Sequence, residues 1–342
     1  MHNSRWAWMA GVAVALVGLC GWWPCPATAQ STAEDEPAAA ATNGDVPATI
    51  VWVGVYVNQI HEVSLKENHF TADFYVWFRW QGEAVKPLES FEVVNGRIDS
   101  KDKAYETMLG DENYAVCRVV TTITEFWDVS RFPLNNHELL IQIEDGENEA
   151  FKLRFVADTE NCGFNPQVQT PGWELGQAAA SVSEQQYKTN YGDTSLPTGN
   201  ASTYSRFVYG IPLERRGYGY FLKLFFGLFV ATAISFLAFF IRPTEVDPRF
   251  GLGVGAIFAA VASEYVVTAS LPDTNIMTMA DQLHLLAFVF IFLSICESTL
   301  SLKWFSSGDE GLVRRSKAMD RFCLIAFSIA YLALSALAVM RR

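Results

Sequence analysis

The sequence predicts an α+β membrane protein: an N-terminal extracellular all-β sandwich followed by a four-helix transmembrane bundle. Three observations predict it. Short stretches of alternating apolar and polar residues, separated by turn dipeptides, fill residues 48–216. Four apolar runs, each of about twenty residues and long enough to span a bilayer, fill residues 217–342. The charge divides at the same boundary. Between Gln30 and Gly217 stand 28 acidic and 14 basic residues, while the rest of the 342-residue chain sums to +2.

The chain opens with Arg5, an apolar run from Trp6 to Leu19 and the small residues Ala27-Thr28-Ala29. That pattern is a secretory signal peptide, residues 1–29, cleaved after Ala29. Residues 30–47, rich in Ala, Thr, Glu and Pro, predict a flexible linker with no core of its own. Strands follow at "VWVGVYVNQI", "FTADFYVWFRWQ", "ELLIQIED", "FKLRFVAD" and "RFVYGIPLE". On the second of these, Phe74, Val76, Phe78 and Trp80 alternate with Tyr75, Trp77 and Arg79, so the two sets face opposite sides. Asn95-Gly96, Asp145-Gly146 and Pro171-Gly172 supply turns between strands. Cys20 and Cys25 leave with the signal peptide, and Cys296 and Cys323 fall in apolar runs. Cys117 and Cys162 remain in an oxidising compartment, where a disulfide and two free thiols both stay open.

The four helices are expected at about 218–241, 250–270, 280–302 and 322–340. Arg314, Arg315, Lys317 and Arg321 precede the last one, and by the positive-inside rule that loop is cytoplasmic. An exported β-domain and four spans then leave both chain ends outside, with the turn "RPTEVDP" cytoplasmic.

Enzyme signals are poor. His61-Glu62 begins a zinc-protease-like pair, but Leu65 stands where the second His would be. There is no phosphate loop and no nucleophile elbow. No cofactor is expected, and an acidic exported domain argues against nucleic acid. Asn200-Ala201-Ser202 fits a glycosylation sequon.

The stretch "SRFPLNNHELLIQIED", beside a β-sandwich and four spans, resembles the signature loop of the pentameric ligand-gated ion channels, the Cys-loop receptor superfamily, and most closely its prokaryotic members. The family loop runs Phe-Pro-x-Asp; here it is Phe132-Pro133-Leu134-Asn135. Trp80, Asn95 in "FEVVNGRI", Trp173 in "TPGWEL", the basic pair Arg215-Arg216 and Pro272 in "TASLPDTNIMT" are similar to family markers in order and spacing. The resemblance covers about residues 48–341. The sequence also departs from the family. The naming disulfide is absent, since its positions fall near Glu125 and Leu139. Asn135 replaces the usual aspartate, which puts a salt bridge to the basic residues below it in doubt. The segment "EDGENEA" lacks the principal aromatic residue of neurotransmitter sites.

The resemblance implies a homopentamer in a bacterial inner membrane with the β-domain in the periplasm. A pore lined by the second helix would pass ions, and lipids would surround the bundle. Phe132, Pro133, Asn135, Arg215 and Pro272 would couple the β-domain to the pore. On the second helix Gly251, Gly255, Phe258, Ala262, Tyr265 and Ala269 recur at alternating steps of four and three, so they share one face. Gly251 and Gly255 alone also fit a close helix pair. The resemblance favours a pore face, with Phe258 as an apolar ring that excludes water at mid-depth. At the cytoplasmic mouth Glu245 and Asp247 favour cations and Arg249 favours anions; the reading leans to cations.

The agonist site would lie between subunits. Tyr75, Trp77 and Arg79 would sit on one side, and Tyr187, Tyr191 and Tyr204 of a capping hairpin on the other. Such a site suits an organic amine through cation–π attraction. Glu144, Asp145, Glu147 and Glu149 could instead take calcium or titrate with pH. A small-molecule, proton or calcium effector therefore stays open. The rival reading is a non-conducting membrane sensor whose "LVRRSK" loop docks a partner.

Overall fold

The computed structural model describes residues 47–192, 201–215 and 217–341. The expected signal peptide, all but the end of the expected linker, and Asn200 of the sequon lie outside the described residues. Among the described residues eleven strands form two sheets. They are β1 (Thr49–Ser64), β2 (His69–Trp80), β3 (Phe91–Val93), β4 (Gly96–Leu109), β5 (Glu112–Thr124), β6 (His137–Asp145), β7 (Leu153–Ala157), β8 (Gly163–Phe164), β9 (Trp173–Leu175), β10 (Ala179–Tyr187) and β11 (Ser202–Arg215). One sheet runs β4-β5-β2-β1-β7 with β8 beside β1; the other runs β10-β11-β6-β3 with β9 beside β11.

The alternation of β2 sets its packing. Phe74, Val76, Phe78 and Trp80 are buried, while Tyr75, Trp77 and Arg79 are half-buried on the other face. Val51, Val53, Val55 and Val57 of β1 join the same core, which meets Leu139, Ile141 and Ile143 of β6 and Phe207, Tyr209 and Ile211 of β11. The Asn95-Gly96 turn stitches the sheets together. Asn95 donates from Nδ2 to the Leu140 carbonyl (2.8 Å) and accepts the Gln142 amide at Oδ1 (3.3 Å).

All four described cysteines are free. Cys117 pairs across β5 with Val76, and Val76 pairs with Val55, whose amide donates to Cys162 Sγ (3.4 Å). Two strands thus separate the thiols, too far for a disulfide. Burial pushes the Cys117 thiol up to about 11, so it stays unreactive.

Among the described residues four helices are long and apolar enough to cross a membrane. They are α1 (Gly219–Phe236, ending in a 3₁₀ turn at Leu237–Phe240), α2 (Val246–Thr268), α3 (Met279–Phe305) and α4 (Glu310–Met340). Two begin earlier than hydropathy suggests. The first turn of α2 tolerates Pro248, because the amides there have no helical partner. Helix α4 starts twelve positions before the expected 322. Its cap is Asp309, which accepts the amides of Gly311 (2.6 Å) and Leu312 (3.1 Å), and its first turns are charged. A capping box opens α3: Thr278 Oγ1 accepts the Asp281 amide (3.2 Å), and the Asp281 carboxylate accepts the Thr278 amide (2.8 Å).

Candidate functional site

Three places collect the residues singled out above. The first is a tyrosine cluster beside the β10–β11 pair. Tyr187, Tyr191 and Tyr204 meet edge to face with ring centroids 5.9–6.4 Å apart. Tyr187 is fixed from behind. Its hydroxyl donates to Glu144 Oε2 (3.0 Å) and accepts from Arg206 Nη2 (2.7 Å), and Arg206 Nε donates to Glu144 Oε1 (2.6 Å). Burial, and then the Glu149 and Glu144 charges, raise the Tyr204 hydroxyl above its ordinary range. Burial, then Glu144 and Asp145, raise the Glu92 carboxyl. The cluster is therefore an aromatic surface with Glu92 and Glu149 nearby and Glu144 paired with Arg206, and its ring faces are of the kind that attract a cation. Glu92 and Arg206 were not found from the sequence, because nothing local to either marks its distant partners.

The acidic segment does not gather calcium ligands. Asp145 Oδ1 already accepts the Glu147 and Asn148 amides (3.0 and 2.7 Å) and Asn148 Nδ2 (2.9 Å), and its other oxygen accepts the Ser90 hydroxyl. Glu144 is saturated by Arg206 and Tyr187, and Glu149 accepts the Thr203 amide (3.4 Å). Among the described residues no group of three His, Cys, Asp or Glu could hold a metal ion. Of the four residues considered for calcium, Glu144, Asp145 and Glu149 accept hydrogen bonds from protein donors, and Glu147 is exposed.

The second place is the outward face of β2. The Trp77 indole lies over Gly54, where a Cβ would collide with it, and Nε1 donates to Asp158 Oδ2 (3.1 Å). Arg79 approaches the same carboxylate (3.7 Å) and lies 5.8 Å from the Trp52 ring. Trp77, Arg79, Tyr114, Asp158 and Asn161 line an open cleft of about 270 Å³. Tyr75 pairs with Arg118, whose guanidinium is held by Asp73 and keeps that carboxyl below the usual range. Among the described residues, no hydrogen bond or ring contact joins this face to the tyrosine cluster.

The third place is the junction of sheets and helices. A continuous stack runs through it: Trp127 to His137 (5.1 Å), His137 to Trp173 (5.2 Å), Trp173 to the Arg215 guanidinium (3.6 Å), Arg215 to Tyr220 (4.7 Å) and Tyr220 to Phe132 (6.2 Å). The Phe132–Pro133 peptide is cis. Asn135 does not reach Arg215. Its Nδ2 donates to the Asp128 carbonyl and contacts His137 Nε2 (3.0 Å). Arg215 meets no carboxylate among the described residues and is held by aromatic faces instead. The Met279 amide, at the start of α3, donates to the Ser130 carbonyl (2.8 Å). Pro272 is half-buried in the α2–α3 linker. Trp173 had been noted only as a marker, and His137 and Tyr220 had no assigned place here.

On α2, Gly251, Gly255, Phe258, Ala262, Tyr265 and Ala269 all lie on the exposed face of the single chain, with Phe258 70% and Tyr265 76% exposed. Gly253, Ala256, Ala260 and Val267 are buried against the bundle. A Cβ at Gly253 would stand 2.6 Å from Ile295 Cγ1, whereas at Gly251 or Gly255 it would meet nothing within 4 Å. The close helix contact within the chain therefore uses Gly253. Glu245 and Asp247 are exposed. Arg249, expected to share their surroundings, does not. It is 1% exposed, turned into the bundle toward Glu297 and Asp320. A bare guanidinium at that depth is costly, and paired carboxylates draw it inward.

No known protein-family profile matches the chain. It is 22% identical over 279 residues to the gamma-aminobutyric acid receptor subunit rho-3 of Homo sapiens, covering 72% of this chain and 56% of that protein. It is 20% identical over 291 residues to subunit gamma-3 of Mus musculus, covering 80% and 61%. It is 23% identical over 222 residues to subunit pi of Bos taurus, covering 62% and 47%. The chain thus spans about half the length of the curated relatives it matches.

Proposed function

We propose that this chain, a distant homologue of gamma-aminobutyric acid receptor subunits within the Cys-loop superfamily of pentameric ligand-gated ion channels, is the subunit of a homopentameric, agonist-gated, cation-selective channel. The homologues are receptor subunits and not enzymes. The observation that carries the reading is the exposed α2 face, where Gly251, Gly255, Ala259 and Ala262 lie around Phe258 and Tyr265, with the mid-sized Val254, Val261 and Val266 also exposed. Lipid tails favour large apolar side chains, and small ones leave room for water or a close neighbour.

The agonist is an ammonium-bearing small molecule. It sits against Tyr187, Tyr191 and Tyr204 of one subunit and against Tyr75, Trp77 and Arg79 of the next. γ-Aminobutyric acid is a natural first trial, since Arg79 offers a cation for a carboxylate. Strand β11 carries the signal from Tyr204 to Arg215. The aromatic stack passes it to α1, and the Ser130–Met279 hydrogen bond passes it to the α2–α3 linker. The agonist biases a closed–open equilibrium by binding one state better than the other. Cation selectivity is supported by exposed Glu245 and Asp247, and by Arg249 being withdrawn and paired. The basic residues in the first turns of α4 support a cytoplasmic location for that end, with the β-domain on the periplasmic side of a bacterial inner membrane.

The test is purified protein in planar bilayers, challenged with a panel of amines and amino acids. Agonist-dependent cation current is expected. A protein that assembles yet passes no current with any of the panel, or whose reversal potential tracks chloride, overturns the channel or the selectivity assignment respectively.

A further inference from the structure

Among the described residues Arg249 is the largest side chain wholly withdrawn from the surface. Each of its guanidinium nitrogens is engaged. Nε donates to Ser298 Oγ (3.1 Å). Nη1 donates to the Ile241 carbonyl (3.0 Å) and Asp320 Oδ2 (3.4 Å). Nη2 donates to Asp320 Oδ1 (2.7 Å) and Glu297 Oε2 (3.1 Å). The partners come from the end of α1, from α3 and from α4. Helix α2 packs on α1 and α3, and α4 packs chiefly on α3; α2 and α4 scarcely pack on each other. The Arg249–Asp320 pair therefore joins two helices that otherwise have little to hold them together. A second polar contact, Ser316 Oγ to Ser301 Oγ (2.8 Å), lies on the same α3–α4 seam. Within lipid such polar contacts, not hydrophobic burial, decide how an outer helix sits.

The placement has a directional consequence. Arg249 lies in the first turn of α2, two residues after Asp247 and two before Gly251. Two residues turn an α-helix by about 200°. A guanidinium fixed inward by a rigid fork of hydrogen bonds therefore holds Asp247 and Gly251 outward, and both are exposed. We infer that the Arg249–Glu297–Asp320 network positions the mouth of the pore, so that Asp320, on a lipid-facing helix, sets ion selectivity through Arg249 and the aim of Asp247. The inference rests on the channel reading. Asp320 is a positioning residue and touches no permeating ion.

The experiment compares full-length wild type with Asp320→Asn, Asp320→Glu and Ser298→Ala. It records reversal potential in asymmetric potassium chloride, single-channel conductance and agonist half-saturation. Asp320→Asn is expected to lower the potassium-to-chloride permeability ratio and at least halve the conductance, with half-saturation within about twofold. Asp320→Glu restores permeation because it keeps the carboxylate. If Asp320→Asn does not assemble, Ser298→Ala, which loses one hydrogen bond, shows a smaller shift in the same direction. Wild-type permeation in the assembled Asp320→Asn channel, or in Ser298→Ala when Asp320→Asn fails to assemble, overturns the inference. Should wild type pass no current, the channel reading fails by itself. Positioning is then read by electron–electron distances between spin labels at Asp247→Cys, with the native cysteines replaced. A distribution that broadens with Asp320→Asn supports the network's role, and one that stays unchanged overturns it.

Discussion

Phe258 and Ile257 are chain neighbours with opposite surroundings: Phe258 is exposed, whereas Ile257 packs against the bundle core. On the channel reading Phe258 is the dry constriction. Phe258→Ala is expected to leak without agonist. Phe258→Ser is expected to leak more, because a hydroxyl ring holds water where an apolar ring expels it. Ile257→Ala should chiefly lower assembled yield. Basal conductance in planar bilayers, normalised to protein incorporated, checks all three. Silent Phe258 variants with wild-type agonist dependence would sink the gate assignment. The helical period was enough to separate this face from the buried one, since 3.6-residue spacing is a local property. Arg249 was not legible in that way. Its carboxylate partners stand 48 and 71 residues further along the chain, and a period cannot say whether a charge finds them. Glu297, an acid inside an expected span, was the available signal, because such residues rarely occur unpaired.

Strand β2 was legible because its period is two and one face is buried. That makes its register testable. Trp80→Ala is expected to destabilise the β-domain by about 3–5 kcal/mol, the usual range for truncating a buried aromatic residue. Trp77→Ala should leave the fold intact and weaken the agonist response. Denaturant unfolding and dose–response curves separate the two, and the reverse pattern would mean a register wrong by one residue. The early start of α4 was not legible, because hydropathy finds apolar residues and the first turns of that helix are charged. The junction stack was hidden for another reason: its members come from three stretches of the chain, Trp127 to His137, Trp173, and Arg215 to Tyr220, and no local pattern joins them. His137 gives it a pH dependence. Burial, and then the Arg215 charge, lower its pKa from 6.5 to about 4. The folded protein thus holds His137 neutral. Its contribution to stability is complete above about pH 6.5 and is lost as pH falls toward 4. Thermal midpoints measured from pH 7 to 4 should fall less steeply in His137→Gln than in wild type. Parallel curves would show that the histidine does not supply the effect.

At the scale of the whole molecule, exposed helix surface comes in two kinds. Helix α4 turns Phe322, Ile325, Ile329, Leu332 and Leu337 outward, large apolar side chains suited to lipid tails. Helix α2 turns out Gly251, Gly255, Ala259 and Ala262 around Phe258 and Tyr265, with Val254, Val261 and Val266 as its mid-sized apolar side chains. A single chain has no reason to show both faces to the same solvent. Closing several copies around the α2 face removes it from lipid and leaves α4 outside. Cysteine accessibility distinguishes the two environments. With Cys296 and Cys323 replaced by serine, Ala262→Cys should react with a charged, membrane-impermeant thiol reagent, faster when agonist is present. Ile329→Cys, facing hydrocarbon, should not react, since a thiol is modified as thiolate and thiolate requires water. Native mass spectrometry of the same preparations should give a pentamer. A reactive Ile329→Cys with a silent Ala262→Cys would exchange the lipid-facing and water-facing surfaces. A monomer in which Ala262→Cys is inert would mean that lipid covers the glycine-alanine face and that no pore forms there.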